Sequence, residues 1–363
     1  MVSQAYKDML DVMTKRGGPY TGVDVPEFYA LVQELFTPEE ADLNNALPRT
    51  PVTAAEVAKE KGKSEAEVAA LLEGMANKGL CVASGSEGKT CYQGAAFMPG
   101  IFEFQFIRGK ATEREIKIAG LVEDYKKAYN AVKGEQKISF PLTRVISVDR
   151  KISVRNAVHT YDQVATYIRK YDPVCVGTCY CRQAAKLRGE DVHGMPMEVC
   201  MWFGKRGEFA AERLGGRKVS KGEAMQILDK AEAAGLVHMS RNTTEEIDFL
   251  CNCDRWHCDT IQGVLKQPKP GLVFNSGFQP QFDSGKCNAC GICLDRCPGA
   301  ALKMGEKGVP VVDLDRCFGC AVCAAGCEQE AIVMEPKPEF PEPPKTVKDL
   351  VTGLKASAAR RPA

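Results

Sequence analysis

The segment from Cys287 to Glu328 repeats itself after thirty residues, reading "CNACGICLDRCP" from Cys287 and "CFGCAVCAAGCE" from Cys317. Each unit has the form CxxCxxCxxxC. Three cysteines at such short intervals force the backbone into a tight loop whose sulfurs wrap one face of an iron–sulfur cube, while the fourth cysteine points away to a neighbouring cube. Each unit therefore lacks one ligand that the other supplies. The spacing assigns Cys287, Cys290 and Cys293 with Cys327 to one [4Fe-4S] cluster, and Cys317, Cys320 and Cys323 with Cys297 to a second. A zinc knuckle on the same residues would leave four cysteines per unit at unequal spacing without a reason.

The repeat resembles that of the bacterial two-[4Fe-4S] ferredoxins, and the flanks "PVVDLDRC" and "AIVM" are similar to the short strands of those proteins. Glu328 stands where such motifs often have proline, as this chain does at Pro298 after Cys297. That departure alters the surroundings of a cluster and removes no ligand.

The other cysteines are distributed unevenly. Of 17 in the chain, only Cys81 and Cys91 fall in the first 170 residues, and seven lie between 175 and 258. No basic and apolar leader opens the sequence, and no run approaches the roughly 18 apolar residues of a membrane span, so a cytoplasmic location is expected. In a reducing compartment so many thiols point to metal binding rather than disulfides. Lysine plus arginine (48) nearly cancels aspartate plus glutamate (47), which gives no global field for nucleic acid or a membrane surface.

The middle region reads "CVGTCYCRQAAKLRGEDVHGMPMEVC" and resumes with "CNCDRWHC", offering Cys175, Cys179, Cys181, Cys200, Cys251, Cys253 and Cys258, with His193 and His257 as weaker candidate ligands. A CxC pair lets neighbouring thiolates share one metal centre, and Arg182 beside Cys181 can hydrogen-bond cluster sulfur or offset its charge. One or two further [4Fe-4S] clusters are expected here. Zinc on three cysteines and a histidine, or on four cysteines, is the minor alternative, and buried inert cysteine is the bland one.

A wider resemblance runs through "LFTPEEA", "PGIFEFQ", "CYCR", "PMEVC", "AEAAGLVH", "LCNC" and the double repeat, in that order. The chain looks like a family of 4Fe-4S binding proteins of anaerobes that have a winged-helix-like N-terminal part, a cysteine-containing middle and a ferredoxin C-terminal part. The likeness covers residues 5 to 335 or so. In that family a cysteine usually stands three residues before a proline, where this chain has His193, and further cysteines follow CNC, where it has Asp254, Trp256 and His257. Seven cysteines remain where two ordinary clusters want eight.

The expected fold class is α+β and multidomain: a winged-helix-like domain over 1–110, a mainly helical cysteine-rich domain over 111–270, a two-[4Fe-4S] ferredoxin-like domain over 271–335, and a proline-rich linker and tail over 336–363. "TPEE" at Thr37, "TAAE" at Thr53 and "SEAE" at Ser64 are capped helix starts. The last two, joined across Gly62, resemble a helix-turn-helix, and "KGLCVASGSEGKTCYQ" the wing after it. The helix that would enter a DNA groove carries Glu65, Glu67 and Glu73, so packing or protein docking is the expected role. "ASGSEGKT" fits a relaxed phosphate loop but lacks the helix that such a loop must precede.

The function these features point to is one-electron relay by a protein or subunit that serves a partner oxidoreductase in anaerobic metabolism, as a homo-oligomer or a hetero-complex. Two alternatives stand beside it: a redox enzyme whose middle cluster has an open iron near His257, and an iron–sulfur redox-sensing transcription regulator.

Overall fold

Local sequence signals set the first helices. Thr37 and Thr53 each accept the backbone N–H three residues on and receive that glutamate's reach back, which starts helices Pro38–Ala46 and Ala54–Lys61. Gly62 stops the second at φ 62°, a left-handed conformation that costs glycine nothing. Ser64 then caps Glu65–Asn77, whose Val68, Leu72 and Met75 are buried. Strand Val52–Thr53 pairs with Lys89–Gly94, which pairs in turn with Cys81–Ser86. The GKT stretch therefore lies on a hairpin, with strand on both sides of its tip.

The computed structural model describes residues 2–86, 88–134, 138, 140–148, 152, 164–338 and 340–359. The chain divides into two units, Met1–Gln136 with Gly177–Val192 and Glu208–Arg217, and Lys137–Val176 with His193–Gly207 and Lys218–Ala363. In the first, Phe28, Phe97, Phe102 and Tyr125 form an aromatic core, with Phe97 stacked on Phe102 at 4.9 Å between centroids. Helix Glu113–Lys133 supplies Tyr125 to it. Arg213 of the same unit donates to Glu73 Oε2 at 2.5 Å and to Asn77 Oδ1 at 3.1 Å, so the acidic helix is engaged within its own unit.

A six-stranded sheet, most of whose residues belong to the second unit, runs in the order Thr143–Ile146, Val237–Arg241, Phe249–Cys253, Glu198–Phe203, Val174–Thr178 and Arg217–Val219. Helices flank this sheet throughout the middle region, but the expectation of a mainly helical domain did not include the sheet itself. The strands "VCVGT" and "EVCMWF" are buried on both faces and show no alternation of apolar and polar residues, so their periodicity cannot separate them from buried helix. One face carries Ile146, Val174, Val176, Met201, Phe203 and Leu250 against Val164, Ile168, Ala224 and Leu228 of two helices. Helix Lys221–Ala233 is capped by Ser220 and ends before Gly235, at φ 80°.

The repeat forms two small antiparallel pairs, Phe278–Phe282 with Ile332–Pro336 and Leu302–Met304 with Pro310–Val312. The proline-rich stretch after it is tied down. Lys337 donates its N–H to Gly277 O at 2.7 Å, and Thr244 and Glu245 donate theirs to Pro344 O at 3.0 Å and Lys345 O at 3.1 Å. Helix Val347–Ala359 follows, with Leu350 buried. No helix among the described residues is long and apolar enough to cross a membrane.

Candidate metal centre

The thirty-residue repeat is a repeat of backbone geometry. Positive φ recurs at Ala289 (59°) and Gly319 (68°), at Gly291 (78°) and Ala321 (62°), and at Ala300 (47°) and Glu330 (48°). Alanine and glutamate seldom occupy this region, so the loop shape overrides their preference. The hydrogen bonds match as well: Cys287 and Cys317 each donate N–H at 3.0 Å to the carbonyl four residues back, Asp283 and Asp313. The Ala301 N–H donates to Cys297 Sγ at 3.2 Å and that of Ala331 to Cys327 Sγ at 3.4 Å.

These loops frame two cavities. One is lined by Cys287, Cys290, Cys293 and Cys327. The other is lined by Cys297, Cys317, Cys320 and Cys323. In both, the fourth cysteine comes from the opposite repeat unit. The two differ in exposure: Cys290 is exposed, whereas all four cysteines of the second cavity are buried. We call them outer and inner.

Burial pushes the Cys317, Cys320 and Cys323 thiols up, the last two furthest, and the neighbouring cysteines of the same cavity add to the rise. Backbone N–H groups of Gly319, Val322 and Ala324 act the other way on these sulfurs. In the outer cavity burial raises Cys293, with Cys290, Cys327 and Cys287 contributing. Four sulfurs converge on each cavity with backbone N–H groups aimed at them. That donor set suits an anionic, thiolate-ligated cluster.

The middle cysteines are divided between the units. Cys179 and Cys181 lie in the first, at the start of helix Tyr180–Leu187, where Arg182 is among the most completely buried side chains of the chain. Cys175, Cys200, Cys251, Cys253 and Cys258 lie in the second. Met201 pairs with Leu250 and Trp202 with Phe249, and one further step of that register sets Cys200 opposite Cys251. Since Val174, Val176, Met201, Phe203 and Leu250 occupy one face of the sheet, alternation turns Cys175, Cys200, Cys251 and Cys253 to the other. Cys253 lies within hydrogen-bonding reach of Cys251 and Cys258, which raises its thiol well above the ordinary value together with burial. Among the described residues no group of three or more His, Cys, Asp or Glu side chains is arranged to hold a single metal ion.

Two features of "CNCDRWHC" lay outside the sequence reading. Asp254 is buried, and its Oδ1 accepts N–H from Trp256 at 2.8 Å and from His257 at 2.6 Å. His193, at φ 52°, lies tilted against Trp256 with 4.7 Å between ring centroids, and its ring centroid is 5.8 Å from that of His257. The loop also joins the inner cavity: Cys253 and Cys258 share one apolar cluster with Phe318, Cys320 and Val322. Asx-turn chemistry at "CDRW" is the signal that would have found Asp254. Nothing local announces the partner of Arg255, which donates to Cys297 O at 3.2 Å.

Paired four-cysteine loops of this kind define an iron–sulfur protein whose general role is electron transfer. More specifically, residues 280–303, which hold Cys287, Cys290, Cys293 and Cys297, match the model of the 4Fe-4S binding domain, and the chain carries at least one such cluster. The comparisons with curated proteins and with solved structures return no match.

Proposed function

We propose that the protein relays single electrons to or from a partner oxidoreductase through two [4Fe-4S] clusters and at least one further centre in the middle region. The observation that carries this reading is the exchange of the fourth cysteine between the two cavities. Cys287, Cys290, Cys293 and Cys327 would hold the outer cluster, and Cys297, Cys317, Cys320 and Cys323 the inner one. A bound cluster supplies a one-electron couple. The exposed Cys290 makes the outer site the point of exchange with a partner, and the buried inner site passes electrons inward.

Cys175, Cys200, Cys251, Cys253 and Cys258 are the ligands we assign to a middle centre in the second unit, and Cys179 and Cys181 are candidate ligands within the first. The packing of Cys253 and Cys258 beside Phe318 and Cys320 supports a continuous route from the inner cluster. The N-terminal helices and hairpin form a winged-helix-like module used for packing or protein docking. Glu73 is bonded to Tyr92 and Arg213, which disfavours a DNA-reading role for its helix.

Anaerobic quantification of iron, sulfide and zinc tests the reading. About twelve or sixteen irons per chain without zinc supports one or two middle clusters, and about eight would remove them. Zinc in place of the extra iron would assign the middle thiols to a structural site.

A further inference from the structure

Each segment that carries an inner cysteine has a cation bonded to one of its backbone carbonyls. Arg255 donates from Nη1 to the carbonyl of Cys297 at 3.2 Å. Arg296 donates from Nε to Val322 O at 3.3 Å, between Cys320 and Cys323, and its other nitrogens hold Ala233 O at 3.1 Å and Glu232 O at 2.9 Å. Lys337 Nζ reaches Cys317 O at 3.4 Å. Burial lowers the pKa values of Arg296 and Lys337, while Cys323 and Cys320 beside the first and Cys317 beside the second favour their charged forms.

The repeat shows what the outer cavity has instead. Thirty residues after Arg296 stands Gly326, and thirty before Lys337 stands the exposed Lys307. The backbone geometry is duplicated but these half-buried cations are not, and Arg296 itself also lies against Gly326 of the outer cavity.

We infer that Arg255, Arg296 and Lys337 are positioning residues that set the reduction potential of a cluster in the inner cavity. The inference rests on the electron-relay reading above. Reduction adds a negative charge to a cluster already anionic in its thiolate frame, and burial opposes that addition. Fixed, half-buried cations bonded to the cysteine-bearing segments offset part of the penalty, because water screens their attraction for the added charge only in part. They hold the inner potential up against its burial. Arg255 has a second consequence, since it belongs to the loop of Cys251, Cys253 and Cys258. The order of that loop and the redox poise of the inner cluster are linked through one hydrogen bond.

The test is a redox titration of the intact anaerobic protein followed by electron spin resonance, in the native chain and in Arg255→Gln, Arg255→Lys and Lys337→Gln. The outer signal is assigned by Cys290→Ser, which alters that cluster alone. Arg255→Gln and Lys337→Gln are each expected to lower the inner midpoint by about a tenfold change in the reduction equilibrium, 59 mV for a one-electron couple. Arg255→Lys restores the midpoint most of the way, and the outer midpoint stays in place. An inner midpoint that does not move in the neutral variants, with iron content intact, overturns the inference alone. Absence of any reversible one-electron signal in the native chain overturns the relay reading as well.

Discussion

Asp254 holds His257 at two points: its Oδ1 accepts the His257 backbone N–H at 2.6 Å, and its carboxylate faces ring Nδ1 at 3.2 Å. Both side chains are nearly inaccessible, at 1% and 5% exposure. One buried carboxylate thereby fixes the turn that separates Cys253 from Cys258. Asp254→Ala leaves two backbone N–H groups and the imidazole without that acceptor. The expected loss is about 2–3 kcal/mol in denaturant unfolding, with Asp254→Asn losing less. A loss under about 0.5 kcal/mol would mean that the loop does not depend on this carboxylate.

Outer and inner cysteines should differ in what their removal does. Cys290 is exposed and, on the proposed ligand assignment, its loss deprives one cluster of a ligand at little cost to packing, whereas Cys320 lies in the apolar cluster with Phe274, Phe318 and Val322. Cys290→Ser and Cys320→Ser should each reduce iron content, with the second also lowering the thermal midpoint by several degrees. Equal thermal effects would contradict the inner and outer distinction. Cys81 offers a control: burial lifts its thiol to about 12, so it should resist alkylation at pH 8 in the folded protein.

Asp248 receives Nη2 of Arg241 at 2.8 Å on both oxygens and Nη1 of Arg206 at 2.9 Å. Burial works to raise its pKa, but the two guanidinium groups outweigh it and hold the carboxyl below the usual value. The unfolded chain therefore binds the proton at higher pH than the folded one. The stabilisation is full above the unfolded value near 4 and is lost as pH falls through the depressed folded value. With about a third of the Asp248 side chain exposed, Asp248→Asn should cost about 1–2 kcal/mol at pH 7 and nothing measurable at the acid end. A difference that persists unchanged at low pH would refute the charge-based account.

Extraction of the clusters should release the C-terminal part before the N-terminal one. Cys297, Cys317 and Cys323 share their core with Phe278, Ile332 and Met334, so loss of the proposed clusters from the two cysteine-lined cavities would remove much of what those short strands pack on. Hydrogen exchange after anaerobic chelation should show protection lost over 278–336 and kept over 113–133. Uniform loss across both stretches would count against that order.

The parts of this molecule that could be read in advance are those whose causes are local. A cap at Thr53, a stop at Gly62 and the loop of Cys287, Cys290 and Cys293 are each decided within a few residues. The middle sheet was missed because "EVCMWF" and "FLCNC" are identified as strands by their pairing, and pairing across some fifty residues leaves no local trace. The same holds for Cys200 and Cys251, for Arg255 and Cys297, and for the proline-rich stretch whose carbonyls at Pro344 and Lys345 receive Thr244 and Glu245. His193 and His257 could be named as candidate ligands. That they gather with Trp256 and Asp254 required the fold.

The most direct test of the relay account is a stepwise reductive titration of the anaerobic protein, with spin-resonance spectra taken at each potential and iron counted in the same sample. Two [4Fe-4S] clusters that exchange their fourth cysteine lie side by side, so the account predicts at least two one-electron centres whose signals broaden and split as both become reduced, with at least about eight irons per chain. A single isolated signal with about four irons would contradict it.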